Sequence, residues 1–216
     1  QTDLKLLREK YGINKTDFII LFVGRLGEEK SVDLLIDAQC DFVKVNKNCK
    51  LLLVGDGPDS ETYKKMVKKY KLDNNVIFTG KVPLDEVHKF YQLASIFATA
   101  SRTETQGLTV MEAHAASLPV LAADDPSFSS MVVDDLNGYL FKNKRQYKKQ
   151  VEILMNDKDK LLKMSSQARI SAERYSPKYF AERVLDVYRL AQKGRTGKRG
   201  FFSTLKNVVK RGFYDK

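Results

Sequence analysis

Short apolar runs separated by amphipathic stretches dominate the pattern of this chain. Five of the runs are nearly continuous rather than alternating, which is typical of strands that are buried on both faces of a parallel sheet. They are FIILFVG (18–24), KLLLVG (50–55), VIFTG (76–80), SIFATA (95–100) and LPVLAA (118–123). A further segment, NGYLF (137–141), predicts a short last strand.

Helical periodicity fills the stretches between these runs. The predicted helices cover residues 31–46, 60–71, 84–94 and 108–116. In the first of them, Leu34, Leu35, Ala38 and Phe42 recur on one apolar face. Because strand and helix alternate along the chain, we predict the α/β class: a Rossmann-like parallel sheet with helices on both faces and right-handed crossovers.

The chain becomes helical after the last predicted strand. Three helical stretches cover residues 144–157, 159–175 and 177–193, and a linker rich in Gly, Arg and Lys, GRTGKRG (194–200), follows them. We therefore divide the chain into a Rossmann-like domain over 1–193, which includes these C-terminal helices, and a basic linker with an amphipathic tail over 194–216.

Most of the formal net charge of +11 belongs to the tail, since residues 193–216 hold eight basic residues and one acidic residue. Written as a helix, FFSTLKNVVKRGFYDK (201–216) has an aromatic and aliphatic side opposite a basic one. This pattern favours binding to an anionic membrane surface through residues 200–216. The alternative is a helix that packs on another domain. Nucleic acid is the least favoured partner, because the chain has no recognised nucleic-acid-binding motif.

Composition places the chain among soluble, intracellular proteins. Cys40 and Cys49 lack metal-ligand spacing, so free thiols in a reducing cytoplasm are expected. No run approaches the roughly 20 apolar residues that span a bilayer. We therefore expect a cytoplasmic protein that is peripheral at the inner face of the cell membrane. The first residue, Gln1, suggests a piece of a longer protein.

Polar, glycine-containing loops follow four of the predicted strands. They are GRLGEEK, GDGPD, GKVP and SRTETQG. Because ligands of open α/β sheets bind at the carboxyl ends of the strands, loops that converge there predict a binding site.

The loop after the first strand suits a phosphate group. Gly24 lets backbone approach a ligand closely, and Arg25 and Lys30 are cations beside a helix N-terminus. The alternative is that both cations pair with the nearby carboxylates of Glu28, Glu29 or Asp33. Gly55 in GDGP is likewise compatible with a ligand-binding loop or with a simple tight turn.

TETQGLTVMEA (103–113) places Glu104 in a loop and Glu112 inside a helix that starts at Gly107. Since Glu112 has apolar neighbours, we expect a buried carboxylate, which needs a structural partner or a ligand. Free amides at the helix start would bind phosphate, and Glu112 could accept hydrogen bonds from a ribose. A phosphate centre between two carboxylates fits a sugar nucleotide. The alternative is two structural carboxylates.

Neither of the two histidines has a neighbour with nucleophile or metal-ligand spacing. We expect His88 to be solvated and His114 to pack in the core. No metal and no cofactor is expected, and a nucleotide-sugar epimerase is disfavoured for want of acid–base residues.

With these motifs in place, residues from about 5 to 192 resemble the C-terminal, donor-binding half of retaining glycosyltransferases of family four, which have the two-domain B-type fold. FVGRL…EK, LLLVGDGP, VIFTGKV and LPVLA occur in the order and spacing of that family, and the two glutamates seven residues apart are Glu104 and Glu112.

The resemblance implies a role for each candidate residue. Arg25 and Lys30 would bind the donor diphosphate, Glu112 the ribose hydroxyls, and Glu104 the transferred sugar as the catalytic carboxylate. Further donor contacts are implied for the Gly24 and Gly55 loops, for Lys81 and Val82 around the base, and for Gln106, Gly107, Leu108 and Thr109 around the sugar and distal phosphate. Such enzymes often need no metal, and no Asp-x-Asp occurs here.

TETQGL and GRLGEEKSVDLL look most like diacylglycerol glucosyltransferases of Gram-positive bacteria. This implies retaining transfer of a hexose, glucose from UDP-glucose, to a membrane lipid. Ser31, His114 and Ser117 depart from the family pattern, and we interpret them as packing positions. The N-terminal acceptor domain is missing from this chain and is an expected partner, so the chain should bind a nucleotide sugar weakly without turnover. The alternative is a non-catalytic nucleotide-sugar-binding or partner module.

Overall fold

The computed structural model describes residues 2–102 and 107–194. Its six strands are β1 (Phe18–Val23), β2 (Cys49–Val54), β3 (Val76–Phe78), β4 (Ile96–Thr99), β5 (Val120–Ala123) and β6 (Gly138–Phe141). The helices are α1 (Thr2–Lys10), α2 (Val32–Val45), α3 (Ser60–Lys69), α4 (Leu84–Leu93), α5 (Leu108–Ala115), α6 (Pro126–Ser129), α7 (Lys144–Asn156), α8 (Lys158–Glu173) and α9 (Pro177–Gly194). A single 3₁₀ turn (Glu28–Lys30) precedes α2.

All six strands form one parallel sheet in the order β3-β2-β1-β4-β5-β6. The chain builds outward from β1 to β3, then returns to the other side of β1 and builds outward again to β6. The order therefore reverses between β1 and β4, which leaves a crevice at their carboxyl ends. The predicted Rossmann-like sheet is confirmed.

The continuous apolar runs fill two cores, one on each face of the sheet. Alternate residues of β1 point to opposite faces: Ile20 and Phe22 pack with α2, α3 and α7, whereas Ile19 and Leu21 pack with α4 and α5. The other strands divide their side chains in the same way. A strand with both faces covered needs apolar residues at every position, which explains the sequence pattern.

Three short or polar elements escaped the sequence prediction. Helix α1 (TDLKLLREK) packs only Leu4 and Leu7 against the core, and its other residues are polar except for the exposed Leu6. The 3₁₀ turn and α6 are too short for a period to show, although Asp125 caps α6 by accepting a hydrogen bond from the Ser127 amide (2.9 Å).

The chain divides into two compact units, Gln1–Ala172 and Glu173–Lys216. The first contains the whole sheet, and the described part of the second consists mainly of α9. The predicted boundary at residue 193 and the predicted membrane-binding tail lie at or beyond the end of the described residues. Among the described helices, none is both long and apolar enough to cross a membrane.

Candidate functional site

A cavity of about 320 Å³ opens at the crevice between β1 and β4. It is lined by the end of β1, the loop that follows it, the end of β4 and the first turn of α5: Phe22, Val23, Gly24, Arg25, Glu29, Lys30, Thr99 and Thr109. This is the position at which open α/β sheets bind their ligands. Gly24, Arg25, Lys30 and Thr109 are therefore brought together as the sequence predicts.

Close backbone packing between the loops after β1 and β2 holds the first wall of the cavity. The amide of Gly24 donates to the carbonyl of Val54 (3.0 Å), and the amide of Leu26 donates to that of Asp56 (3.1 Å). Gly55, at φ +128°, lies so close to the carbonyl oxygen of Gly24 that a Cβ would be 2.0 Å from it. Gly55 thus supports the wall rather than lining the cavity. The absence of a side chain at Gly55 lets the loop after β2 pack closely against the Gly24 carbonyl, so Gly55 does more than form a tight turn.

Arg25 forms an ion pair with Glu29 inside the cavity. Its Nε and Nη2 both donate to Oε1 of Glu29, at 3.2 and 2.8 Å. The hydrogen bond from Arg25 is the main cause that lowers the pKa of Glu29. The pairing that the sequence left open therefore forms at Arg25, and Arg25 lines the cavity together with Lys30.

Helix α5 brings its first turn to the opposite wall. Gly107 precedes the helix at φ +58°, a left-handed conformation that glycine adopts without strain, and its carbonyl accepts from the Val110 amide (2.9 Å). The amides of Leu108 and Thr109 donate to no acceptor among the residues that the structure describes. This end of α5 can therefore offer hydrogen bonds and the positive end of the helix dipole to an anion.

The expectation that Glu112 is buried is wrong. Its side chain is exposed on α5, and Oε2 accepts a hydrogen bond from the hydroxyl of Tyr91 on α4 (2.8 Å). Burial was predicted because the neighbours of Glu112 in the sequence are apolar. An apolar neighbour does not guarantee burial here, since Leu108 is itself 59% exposed. Glu112 therefore combines a structural partner with an accessible carboxylate, so that the two explanations offered by the sequence are compatible.

The remaining predicted site residues lie outside the cavity lining or outside the described residues. Lys81 is exposed and Val82 half-buried in the loop after β3, and Leu108 is exposed at the start of α5. Glu104 and Gln106 fall in the part of the chain that the structure does not describe. Their roles therefore stay predictions.

Thr99 and Glu29 belong to the cavity but were not predicted as site residues. Thr99 is the last residue of β4, and its polar side chain at the end of an otherwise apolar run was the available signal. Glu29 was noted only as a neighbour that could neutralise Arg25. Within residues 2–102 and 107–194, no group of three or more acidic, His or Cys side chains is placed to hold a metal ion.

Ser31 and Ser117, which depart from the family pattern, are backbone positions rather than packing positions. Ser31 adopts φ 48° between the 3₁₀ turn and α2, and Ser117 adopts φ 63° after α5. At Ser117 the helix ends in a Schellman motif, since the Leu118 amide donates to the carbonyl of Ala113 and the Ser117 amide to that of His114 (both 2.9 Å). Both conformations favour glycine, which explains the family preference.

The sheet order and the cation-lined crevice fit the Rossmann-like C-terminal domain of the B-type glycosyltransferase class. Residues 4–171 match the family described as "Glycosyl transferases group 1", and the chain belongs to this family.

Two curated relatives carry the same name, "Alpha-monoglucosyldiacylglycerol synthase". The protein from Acholeplasma laidlawii is 34% identical over 86% of this chain and 46% of its own length. The protein from Streptococcus pneumoniae is 34% identical over 65% of this chain and 32% of its own length. The chain thus spans less than half of the length of either relative.

Two solved structures have the same fold. The C-terminal domain of LpcC, a glycosyl transferase group 1 protein from Francisella tularensis, is 25% identical with a TM-score of 0.72, and the match covers 81% of this chain and 93% of that domain. A mutant of S. aureus TarM in complex with fondaparinux, alpha-GlcNAc-glycerol and UDP is 27% identical with a TM-score of 0.72, over 80% of this chain and 36% of TarM.

Proposed function

We propose that this chain is the donor-binding half of a hexosyltransferase that takes glucose from UDP-glucose and transfers it, with retention, to a membrane lipid such as diacylglycerol. The observation that carries the proposal is the cavity between β1 and β4, where Arg25 and Lys30 lie close to the first turn of α5. The two cations are suited to a diphosphate because they neutralise its charge, and the amides of Leu108 and Thr109, which donate to no acceptor among the described residues, can donate to its oxygens.

With the diphosphate at this position, the ribose, the base and the sugar of the donor would contact other predicted site residues. Glu112 lies one turn along α5 from Thr109, which lines the cavity, and its accessible carboxylate would accept hydrogen bonds from the ribose hydroxyls. The loop at Lys81 and Val82 would contact the base, and Glu104 would contact the transferred sugar as the catalytic carboxylate. We propose that no metal takes part. UDP in the TarM structure supports the choice of nucleotide, since that protein has the same fold and is 27% identical over the 80% of this chain that it matches.

The acceptor and the stereochemistry rest on the two relatives. Their shared name describes a diacylglycerol that carries one glucose in alpha linkage. Retention would give this linkage from an alpha-linked sugar nucleotide. Because this chain spans less than half of those proteins, we propose that a further N-terminal domain supplies the acceptor site and that the chain alone does not turn over.

Calorimetric titration of the chain with UDP, GDP and UDP-glucose tests the donor assignment. We expect UDP and UDP-glucose to bind more tightly than GDP. Glu112→Ala should weaken UDP binding about tenfold, which corresponds to the loss of a hydrogen-bond acceptor of about 1.4 kcal/mol. Glu152→Ala is the matched control, because Glu152 lies on α7, on the opposite face of the sheet. Equal effects of both substitutions, or no nucleotide binding by the wild-type chain, would contradict the assignment.

The proposed cellular place is the cytoplasmic face of the membrane, with residues 200–216 as the membrane-binding segment. Sedimentation with vesicles of phosphatidylglycerol or of phosphatidylcholine tests this part separately. We expect binding only to the anionic vesicles and its loss on truncation after residue 193, since each basic residue near such a surface contributes about 1 kcal/mol. Equal binding to both kinds of vesicle would show that charge does not direct the segment.

A further inference from the structure

Arg25 binds a carboxylate of its own chain at the wall of the cavity. Its Nε and Nη2 converge on Oε1 of Glu29, at 3.2 and 2.8 Å, and both side chains line the cavity together with Lys30. Nε and one Nη form the edge of the guanidinium that usually takes two oxygens of a phosphate or carboxylate. We propose that Glu29 is an internal competitor that occupies Arg25 until a ligand phosphate replaces it, which weakens the binding of anions at Arg25 and eases their release.

The local backbone places the carboxylate of Glu29 in this position. Glu29 sits in the 3₁₀ turn that follows Gly27, and a Cβ on Gly27 would lie 2.4 Å from Oε2 of Glu29. The missing side chain at Gly27 therefore leaves the space in which the carboxylate folds back toward Arg25. Glu28 in the same turn is exposed and makes no described ion pair with Arg25.

The strength of the pair suits a competitor that yields to a ligand. The side chains of Arg25 and Glu29 are 63% and 32% exposed, so solvent screens their attraction. Exposed pairs of this kind are weak, and we expect removal of Glu29 to tighten anion binding by about two- to fivefold. A stronger, buried pair would prevent a ligand from reaching the guanidinium. A phosphate can displace Glu29 from this exposed pair, because the attraction between Arg25 and Glu29 is weak.

This inference rests on the proposed function, because it assumes that phosphate groups bind at Arg25. Titration with inorganic pyrophosphate tests it without base or sugar contacts. We expect Glu29→Gln to bind pyrophosphate two- to fivefold more tightly than the wild-type chain. Glu28→Gln removes the same charge one residue away and should change the affinity less. An equal gain in the two variants would assign the effect to general charge and overturn the proposal, as would no gain in Glu29→Gln.

A double-mutant cycle with Arg25→Gln separates competition at Arg25 from any other effect of Glu29. In that background, Glu29→Gln should add no more than Glu28→Gln does, and a full gain would overturn the proposal. UDP and uridine then distinguish the two hypotheses. If pyrophosphate follows the expected pattern but neither nucleotide compound binds, the internal competitor stands and the proposed donor fails. If UDP binds and Glu29→Gln leaves its affinity unchanged, the donor assignment stands and the competitor fails.

Discussion

The hydroxyl of Tyr91 on α4 donates a hydrogen bond to Oε2 of Glu112 on α5, at a distance of 2.8 Å. It also lies 3.4 Å from the carbonyl oxygen of Thr109, in the first turn of the same helix. Tyr91 is only 3% exposed, so its hydroxyl is fixed by packing. One buried side chain thus links the proposed ribose carboxylate to the helix start that lines the cavity.

The first prediction concerns this link. Tyr91→Phe should weaken UDP binding about two- to fivefold, because a hydrogen bond of about 1 kcal/mol no longer orients Glu112. Pyrophosphate, which has no ribose, should bind Tyr91→Phe as it binds the wild-type chain. Calorimetry measures both affinities.

Tyr11→Phe is the matched control for this substitution. Tyr11 packs against Phe90 on α4, and no hydrogen bond of its hydroxyl is described. A loss of UDP affinity as large in Tyr11→Phe as in Tyr91→Phe would mean that the effect comes from repacking around α4. A parallel loss of pyrophosphate binding in Tyr91→Phe would also contradict a specific role for Glu112.

The second prediction concerns the glycine that supports the cavity wall. Gly55→Ala should destabilise the chain by roughly 3 kcal/mol, because a Cβ would lie 2.0 Å from the Gly24 carbonyl oxygen at an unfavourable φ of +128°. Gly12→Ala is the comparison, since Gly12 also has a positive φ (+61°) but no atom within 4 Å of a Cβ. It should cost only about 1 kcal/mol. Urea unfolding measures both, and equal losses would mean that backbone strain rather than contact sets the cost.

The sheet could be predicted from sequence because burial on both faces leaves a continuous apolar run at every strand. Helix α1 could not, since a polar helix that buries only Leu4 and Leu7 has a weak apolar period. Its docking depends on α4, which is distant in sequence. The sequence of α1 alone therefore does not predict its contact with α4.

The candidate site was predictable where charge and strand ends coincide, as at Arg25 and Lys30. The environment of Glu112 was not predictable, because α5 carries apolar residues on several sides and one of them, Leu108, faces solvent. The link to Tyr91 joins residues 21 positions apart through tertiary packing. The left-handed φ of Ser117 was also hidden, because the residue there is not glycine.

The third prediction concerns the left-handed backbone of Ser31 and Ser117. Ser31→Gly and Ser117→Gly should each stabilise the chain by about 0.5 kcal/mol, since relief of left-handed strain outweighs the extra entropy of the unfolded chain. Ser166→Gly, inside α8, should instead destabilise by about 1 kcal/mol. Thermal unfolding of the three variants tests this, and a loss of stability in Ser117→Gly would mean that the serine side chain itself stabilises the helix end.

The last prediction concerns His114, which is fully buried on α5, as its predicted packing role requires. Burial lowers the pKa of His114 to about 4, from 6.5. Below about pH 6.5 the unfolded chain therefore binds a proton that the folded chain does not, so folding stability falls as the pH drops from 6.5 toward 4.

The wild-type chain should lose roughly 2 kcal/mol more than His114→Met between about pH 7 and about pH 4.5. Urea unfolding at the two pH values measures the difference. Replacing the exposed His88 by Met is the matched control, and an equal change in the pH dependence of both variants would mean that the effect is not specific to the buried histidine. If His114→Met loses as much stability as the wild-type chain, His114 does not bind the proton that separates the folded and unfolded states.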